Sequence, residues 1–264
     1  HYYEPQIAVW NQRLAELMRA ERDDFPVRLA PDFTVDKHLY GNENPALRSL
    51  PNLNSEYGEG FTSVERAWHL RWETQEMRRY NSMSGYVYTE LTDVEHEMAG
   101  LLDAHRNPKE WAGCIPSAVN ADTVIVLNLV PCEAGADVAL PFAQQPISFH
   151  LSHHGVSEIR GRAYAMWVPA HSPVDFDIRK IAGAVGVDVA ACDVFAEPFI
   201  LSPEFSLSVS GIEDPARLLI WMEDESGVVC ARTYLDAAEV EVVNRRGARS
   251  GEFVDVPRPG WNED

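Results

Sequence analysis

The feature that most constrains this chain is a change of periodicity near residue 112. Before it, helix-spaced and strand-like segments alternate. After it the helical spacing stops, and period-two strand patterns follow one another. A chain patterned in this way divides into an α/β part and an all-β part.

In the first part, Ile7, Trp10, Leu14, Leu17 and Met18 recur at helical spacing over 6–22, with Pro5 just ahead of them. Residues 25–29 and 33–40 are expected to be extended, the second segment ending at Gly41-Asn42. Residues 51–58 form a short strand candidate running into a glycine-containing loop. Val64, Trp68, Trp72 and Gln75-Glu76 follow the turns of a helix over 64–80, which Thr62 or Ser63 can cap. Residues 85–89 again read as a strand. Strand, helix and strand in succession imply parallel β/α units.

Past residue 112, strands are expected over 122–130, 136–142, 146–152, 162–168, 185–195, 205–210, 217–223 and 227–235. Ile147, Phe149 and Leu151 would face one way, and Ser148, His150 and Ser152 the other. Turn residues separate these strands at the roughly 8–12-residue steps of a sandwich. The expected organisation is an α/β region over 1–112, a β-sandwich over 113–245 and a tail over 246–264, rich in Gly, Pro and charge.

Composition limits the classes of function. Hydrophobic residues make up 45% of the 264, enough to bury a core and to exclude disorder over most of the chain. The 22 Lys and Arg against 41 Asp and Glu leave a net charge of −19, which repels phosphate backbones, so no nucleic-acid partner is expected. No apolar run approaches the roughly 20 residues of a membrane-spanning helix, and no membrane partner is expected. His1-Tyr2-Tyr3-Glu4-Pro5 lacks a Met and a signal-type apolar stretch, and reads as a processed, trimmed or internal start. Localisation, cytoplasmic or secreted, stays open. Cys114, Cys132, Cys192 and Cys230 form no C-x-x-C pair and lie in or beside apolar stretches, as buried free thiols do. A disulfide across the sandwich stays open for an exported protein.

Three local patterns bear on chemistry. Asn54-Ser55-Glu56-Tyr57-Gly58 puts a carboxylate where a strand gives way to a loop. In parallel β/α proteins that end of the strand gathers catalytic groups, although a solvated loop acid is the plainer reading of this pattern alone. The run from Gly85 to Glu97 is a strand followed by four acids and a His. An acidic helix start, favoured by the macrodipole, explains it better than a metal site. His150, His153 and His154 are expected at exposed sandwich positions, His150 and His154 on one face and His153 on the other. No metal site is assigned. No glycine-rich phosphate loop is present, and no cofactor is expected.

Four pieces between Asp36 and Glu95, in order, resemble the end of the catalytic barrel in glycoside hydrolase family 2, the β-galactosidase, β-glucuronidase and β-mannosidase group. Asp36-Lys37-His38-Leu39-Tyr40 looks like the sixth barrel strand, and Asn54-Ser55-Glu56-Tyr57-Gly58 like the seventh with its nucleophile. The Trp68/Trp72 helix follows. Ser84 to Glu95 looks like the eighth strand and its loop, and Asp103-x-x-Arg106-x-Pro108-Lys109 like the exit from the barrel. The likeness covers residues 34–111 motif by motif, extends more loosely over 1–33, and covers 112–245 in architecture. It implies the C-terminal half of a (β/α)8 TIM barrel followed by an immunoglobulin-like β-sandwich.

The resemblance also implies an activity, the retaining hydrolysis of terminal β-glycosidic bonds of β-galactoside or β-glucuronide type. Glu56 would be the nucleophile and Tyr40 the residue that orients it. His38, Asn42, Tyr57, Tyr88, Glu90 and Asp93 would line the pocket. Tyr88 stands where many members place a Trp that stacks on the sugar. Retention requires a second carboxyl group about 5–5.5 Å from the first. In the family that acid/base Glu follows an Asn at the end of the fourth strand. Asn42-Glu43 follows the wrong strand and reads as loop. Counting strands back places the first four, and the acid/base with them, upstream of His1. About 112 residues cannot close an eight-stranded barrel. The expected partners are therefore a carbohydrate and the N-terminal portion of the same enzyme, or another chain, completing the barrel over Leu39, Leu53 and Val87. Self-association stays open. The alternatives are a non-catalytic carbohydrate-binding descendant and a partner-binding fragment whose open sheet edges another chain covers.

Overall fold

A computed structural model describes residues 24–30, 33–38, 52–58, 60, 62–81, 83–95, 97–129, 136–174 and 189–239. The expected helix over 6–22, Leu39, Tyr40, Asn42, Glu43, Cys132, residues 185–188 of one expected strand and the tail over 246–264 lie outside these residues.

The described chain is mostly β-structure with few helices. Among the described residues, eight strands follow residue 112: β5 (Thr123–Leu127), β6 (Val138–Leu140), β7 (Gln145–His153), β8 (Ile159–Pro169), β9 (Ala190–Ala196), β10 (Phe205–Val209), β11 (Ala216–Asp224) and β12 (Val229–Glu239). Each has a counterpart among the expected strands, with ends shifted by a few residues. They form a three-stranded sheet in the order β10-β7-β5 and a five-stranded sheet in the order β6-β12-β11-β8-β9. Ile125, Phe149 and Leu207 from the first sheet share one core with Ala163, Leu218 and Leu235 from the second. Only the β6–β12 pair within these sheets is parallel.

The helix α1 (Ser63–Arg78) precedes the sandwich. Thr62 caps it: its side chain accepts from Glu65 N–H while the Glu65 carboxylate accepts from Thr62 N–H. Reciprocal bonding of this kind satisfies two of the helix's orphan donors. Trp68 and Trp72 do not merely pack beside the sandwich; both belong to its core. On the other side of the five-stranded sheet, Leu219, Trp221, Met166 and Tyr234 share a second core with Leu70, Met77 and Trp111. The sheet is therefore buried on both faces. That accounts for the unbroken apolar run Leu218-Leu219-Ile220-Trp221-Met222 in β11, where a half-exposed strand would alternate.

Polar side chains fix this packing. The Asp137 carboxylate, fully buried, accepts from Trp72 Nε1 (2.7 Å), from Asp236 N–H (2.7 Å) and from Arg71 Nη2 (3.2 Å). Arg71 also donates to the Tyr234 carbonyl (2.6 Å), and its guanidinium lies 3.6 Å over the Tyr234 ring. Arg217 approaches that ring from 4.0 Å and pairs with both oxygens of Asp236 at 2.7 and 2.9 Å. At the end of α1, Arg78 reaches the Ala121, Asp122 and Ser152 carbonyls, and Gln75 donates to Thr233 Oγ1. Burial pushes the Asp137 carboxyl up, and the Arg71 charge pulls it back.

Three expectations are corrected. The segment 25–29 and the described part of the segment 33–40, through His38, do not enter parallel β/α units. They appear as β1 (Asp24–Ala30) and β2 (Phe33–His38), paired antiparallel with Ala30 opposite Phe33. Two intervening residues allow a hairpin, whereas a parallel pair needs a crossover of a dozen or more. His153 is buried, not exposed: it shares the parity of Ile147, Phe149 and Leu151, and its ring bonds Thr123 Oγ1 and the Ser157 carbonyl. Of the free thiols described, Cys114 is buried but Cys192 and Cys230 are only half-buried. Burial raises the Cys114 pKa to about 11.

Asp137→Ala should leave Arg71 buried without its counter-charge and Trp72 without its acceptor. The expected loss is about 3–5 kcal/mol of unfolding free energy, measured by chemical denaturation. A loss below about 1 kcal/mol would mean that apolar packing alone seats the helix.

Candidate active site

Two strands flank α1 in sequence: β3 (Asn52–Tyr57) before it and β4 (Met83–Tyr88) after it. They pair in parallel, as a strand–helix–strand unit should, so their carboxyl ends lie side by side. The register runs Leu53 opposite Gly85 and Asn54 opposite Tyr86, then jumps to Tyr57 opposite Tyr88. Ser55 and Glu56 thus sit in a bulge, which resets the alternation of β3. Asn54 and Tyr57 both turn to α1, on Met77 and Thr74. Leu53 and Val87 are 65% and 50% exposed.

The bulge presents the Glu56 side chain to solvent. Its own N–H is taken by Asn54 Oδ1 at 3.1 Å. The next residue is its opposite in environment. Tyr57, expected as a substrate contact, is buried, and its hydroxyl is hydrogen-bonded to Thr74 Oγ1 at 2.8 Å. Burial pushes that phenol well above the usual range. The chain then turns through Gly58 at φ +129°, where a Cβ would stand 2.6 Å from the Thr89 carbonyl oxygen. Only glycine fits so close an approach of two strand ends. Thr89 N–H closes the contact on the Tyr57 carbonyl at 2.7 Å.

The Tyr88 ring, expected as a sugar platform, packs edge-on to Tyr57 at 5.3 Å and tilts against Trp111 at 6.4 Å. Its hydroxyl donates to the Ala99 carbonyl. Glu90 follows one residue beyond Thr89 and is half-buried, with Oε1 buried and without a hydrogen-bond partner. Desolvation, then the Glu97 and Asp93 charges, raise its pKa. Asp93 holds the loop together: both its oxygens accept from Lys109 Nζ (2.6 and 2.8 Å), and one accepts from Gly100 N–H. Lys109 adds a bond to the Met98 carbonyl. Leu91, Val94 and Met98 stand exposed on the same loop.

His38 ends β2, opposite Asp24 in register. Tyr40 and Asn42 lie outside the described residues. The structure thus brings Glu56, Tyr57, Tyr88 and Glu90 to one pair of strand ends, with Asp93 in the loop that follows. Sequence reasoning missed Asn54, Thr74 and Lys109. The signal for Asn54 was a polar residue two places before the carboxylate it supports. Thr74 had no local signal, and Lys109 stood in the exit motif with nothing to show that it pairs with Asp93. Among the described residues, no three His, Cys, Asp or Glu side chains gather as a metal-binding group.

No protein-family model matches the chain, and no curated protein does. Solved structures similar to it include an Amycolatopsis orientalis exo-chitosanase complexed with PNP-β-D-glucosamine, at 11% identity and a TM-score of 0.38, over 66% of this chain and 18% of that one. A calcium-binding mutant of Bacteroides uniformis β-glucuronidase 2 has 12% identity and a TM-score of 0.31, over 75% and 23% of the two chains. Another Bacteroides uniformis β-glucuronidase has 10% identity and a TM-score of 0.30, over 88% and 24%. The chain thus spans about a fifth of the length of these glycosidases. Likenesses this slight leave function to be read from the residues themselves.

Glu90 generates a test. Its folded-state pKa lies above the unfolded value, so the folded state holds the proton to higher pH. Stability is therefore lost as pH rises above about 4.5 through the raised value. Glu90→Gln should melt higher than the unaltered protein at pH 7, with the gap closing near pH 4. A constant gap across that range would show that Glu90 is not strained by its neighbours.

Proposed function

We propose that this chain is part of a retaining β-glycosidase of glycoside hydrolase family 2 type, with Glu56 as its nucleophile. The observation that carries the reading is the position of that carboxylate. It is lifted off the ladder at the carboxyl end of a parallel strand, beside the end of the next parallel strand, as catalytic groups of β/α barrels are. On this reading β3, α1 and β4 are the seventh strand, its helix and the eighth strand of a TIM barrel whose C-terminal half is residues 1–112. The sandwich over 113–245, of immunoglobulin-like type, stands behind the barrel, with 246–264 a tail. The exposed Leu53 and Val87 face the barrel interior. The remaining strands, from the N-terminal portion of the enzyme or from another chain, cover them.

The chemistry follows from two carboxyl groups about 5–5.5 Å apart. Ionised Glu56 attacks the anomeric carbon, and the bond to the leaving oxygen breaks as the second, protonated carboxyl donates to it. Water, deprotonated by that same group, then releases the sugar from the glycosyl-enzyme. The second carboxyl is supplied by sequence upstream of this chain. Glu90, His38, Tyr40 and Asn42 meet the sugar. Asp93, tied to Lys109, shapes the loop. The substrate is a terminal β-glycoside.

Glu56→Gln in the active protein should abolish hydrolysis of nitrophenyl β-glycosides while leaving the unfolding midpoint unchanged. A 2-fluoro-glycoside inactivator should label the peptide containing Glu56. Label on Glu90 or Glu43 would overturn the assignment.

A further inference from the structure

We infer that Asn54 and Tyr57 are positioning residues for the Glu56 carboxylate, with Thr74 of α1 as the latch. The role rests on the glycosidase reading of Glu56. Neither residue touches the reacting atoms. Both act through the bulge that carries the nucleophile.

A bulged residue lacks the ladder bonds that hold an ordinary strand residue. Something else must fix it, because a displacement of about 1 Å at a reacting group can cost about 100-fold in rate. Here the bulge is pinned on both sides. Ahead of it, Asn54 Oδ1 accepts from Glu56 N–H at 3.1 Å, while its amide nitrogen donates to Met77 Sδ at 3.4 Å. Behind it, the Tyr57 hydroxyl bonds Thr74 Oγ1, whose residue is fully buried. The Tyr57 ring is wedged edge-on between Tyr86 at 5.7 Å and Tyr88 at 5.3 Å, and its carbonyl is held by Thr89 N–H. Met77 and Thr74 lie three residues apart, on one face of the helix. The two pegs therefore share one rigid support, itself seated on the sandwich through Arg71 and Trp72.

This separates adjacent residues into distinct duties. Glu56 is exposed and Tyr57 is buried because the bulge points one outward and the other at the helix. Removing the hydroxyl while keeping the ring leaves the packing in place and frees only the latch. Removing the Asn54 side chain frees Glu56 N–H.

The test, made in the complete active enzyme, compares the unaltered protein with Tyr57→Phe, Thr74→Val, Thr74→Ser and Asn54→Ala, using a 2-fluoro-glycoside inactivator and amide hydrogen exchange. Tyr57→Phe and Thr74→Val should each slow the inactivation step about 10- to 100-fold at unchanged inactivator affinity. Exchange of the 53–58 peptide should rise about fivefold, the factor for one lost hydrogen bond, with β11 unaffected. The double variant should be no slower than the worse single, because both delete the same bond. Thr74→Ser, which keeps the hydroxyl, should restore the rate, and Asn54→Ala should add its own loss to that of Tyr57→Phe. A labelled parent protein with undiminished variants would overturn the positioning role alone, as would faster exchange without slower labelling. Absence of label on Glu56 in the unaltered protein would overturn the glycosidase reading, and the role with it.

Discussion

A single buried carboxylate, Asp137, sets the geometry on which the rest of the described chain depends. A charge with no exposure must be met from several sides or it is not tolerated. Here α1 contributes Arg71 and Trp72, and β12 contributes the N–H of Asp236. Apolar contact is non-directional, and a helix lying on a greasy sheet can slide or roll. One carboxylate accepting from consecutive residues of the helix admits one rotation and one height. The pair of arginines about the Tyr234 ring extends the same constraint across the five-stranded sheet.

What is fixed at the sandwich is passed to the strand ends. The face of α1 turned from Asp137 carries Thr74 and Met77, on which Tyr57 and Asn54 rest. The Glu56 bulge is thus referenced to the sandwich through one helix, not to its neighbouring strand alone. Trp68 and Trp72 inside the sandwich core make the same point in apolar terms. The packing there is shared between the segments on either side of residue 112.

Much of this was legible, and the failures have identifiable causes. The sandwich strands were readable because alternation is written locally, as in Ile147, Phe149 and Leu151. The helix was readable from Trp68 and Trp72 and from its cap. Its surroundings were not: Arg66, Arg71 and Arg78 look like solvent-facing residues until partners 44 to 163 positions away are known. The carboxylate at a strand end was visible in Asn54-Ser55-Glu56, but the bulge was not, since it depends on pegs from the following helix. The β1–β2 hairpin was available in the short gap between the segments 25–29 and 33–40 and was passed over in favour of β/α succession. His153 was available too, since its parity matched the core.

No residue of α1 is exposed. Surface helices ordinarily have a water-facing stripe along which substitutions accumulate at little cost. This one has none, since the sandwich, the strand pair and the segment around Trp111 close it in. Drift along α1 must therefore proceed by matched exchanges across its contacts, Arg71 with Asp137 and Gln75 with Thr233 among them. In divergent descendants of this chain, such paired changes would record the ancestry of the helix where individual positions no longer do.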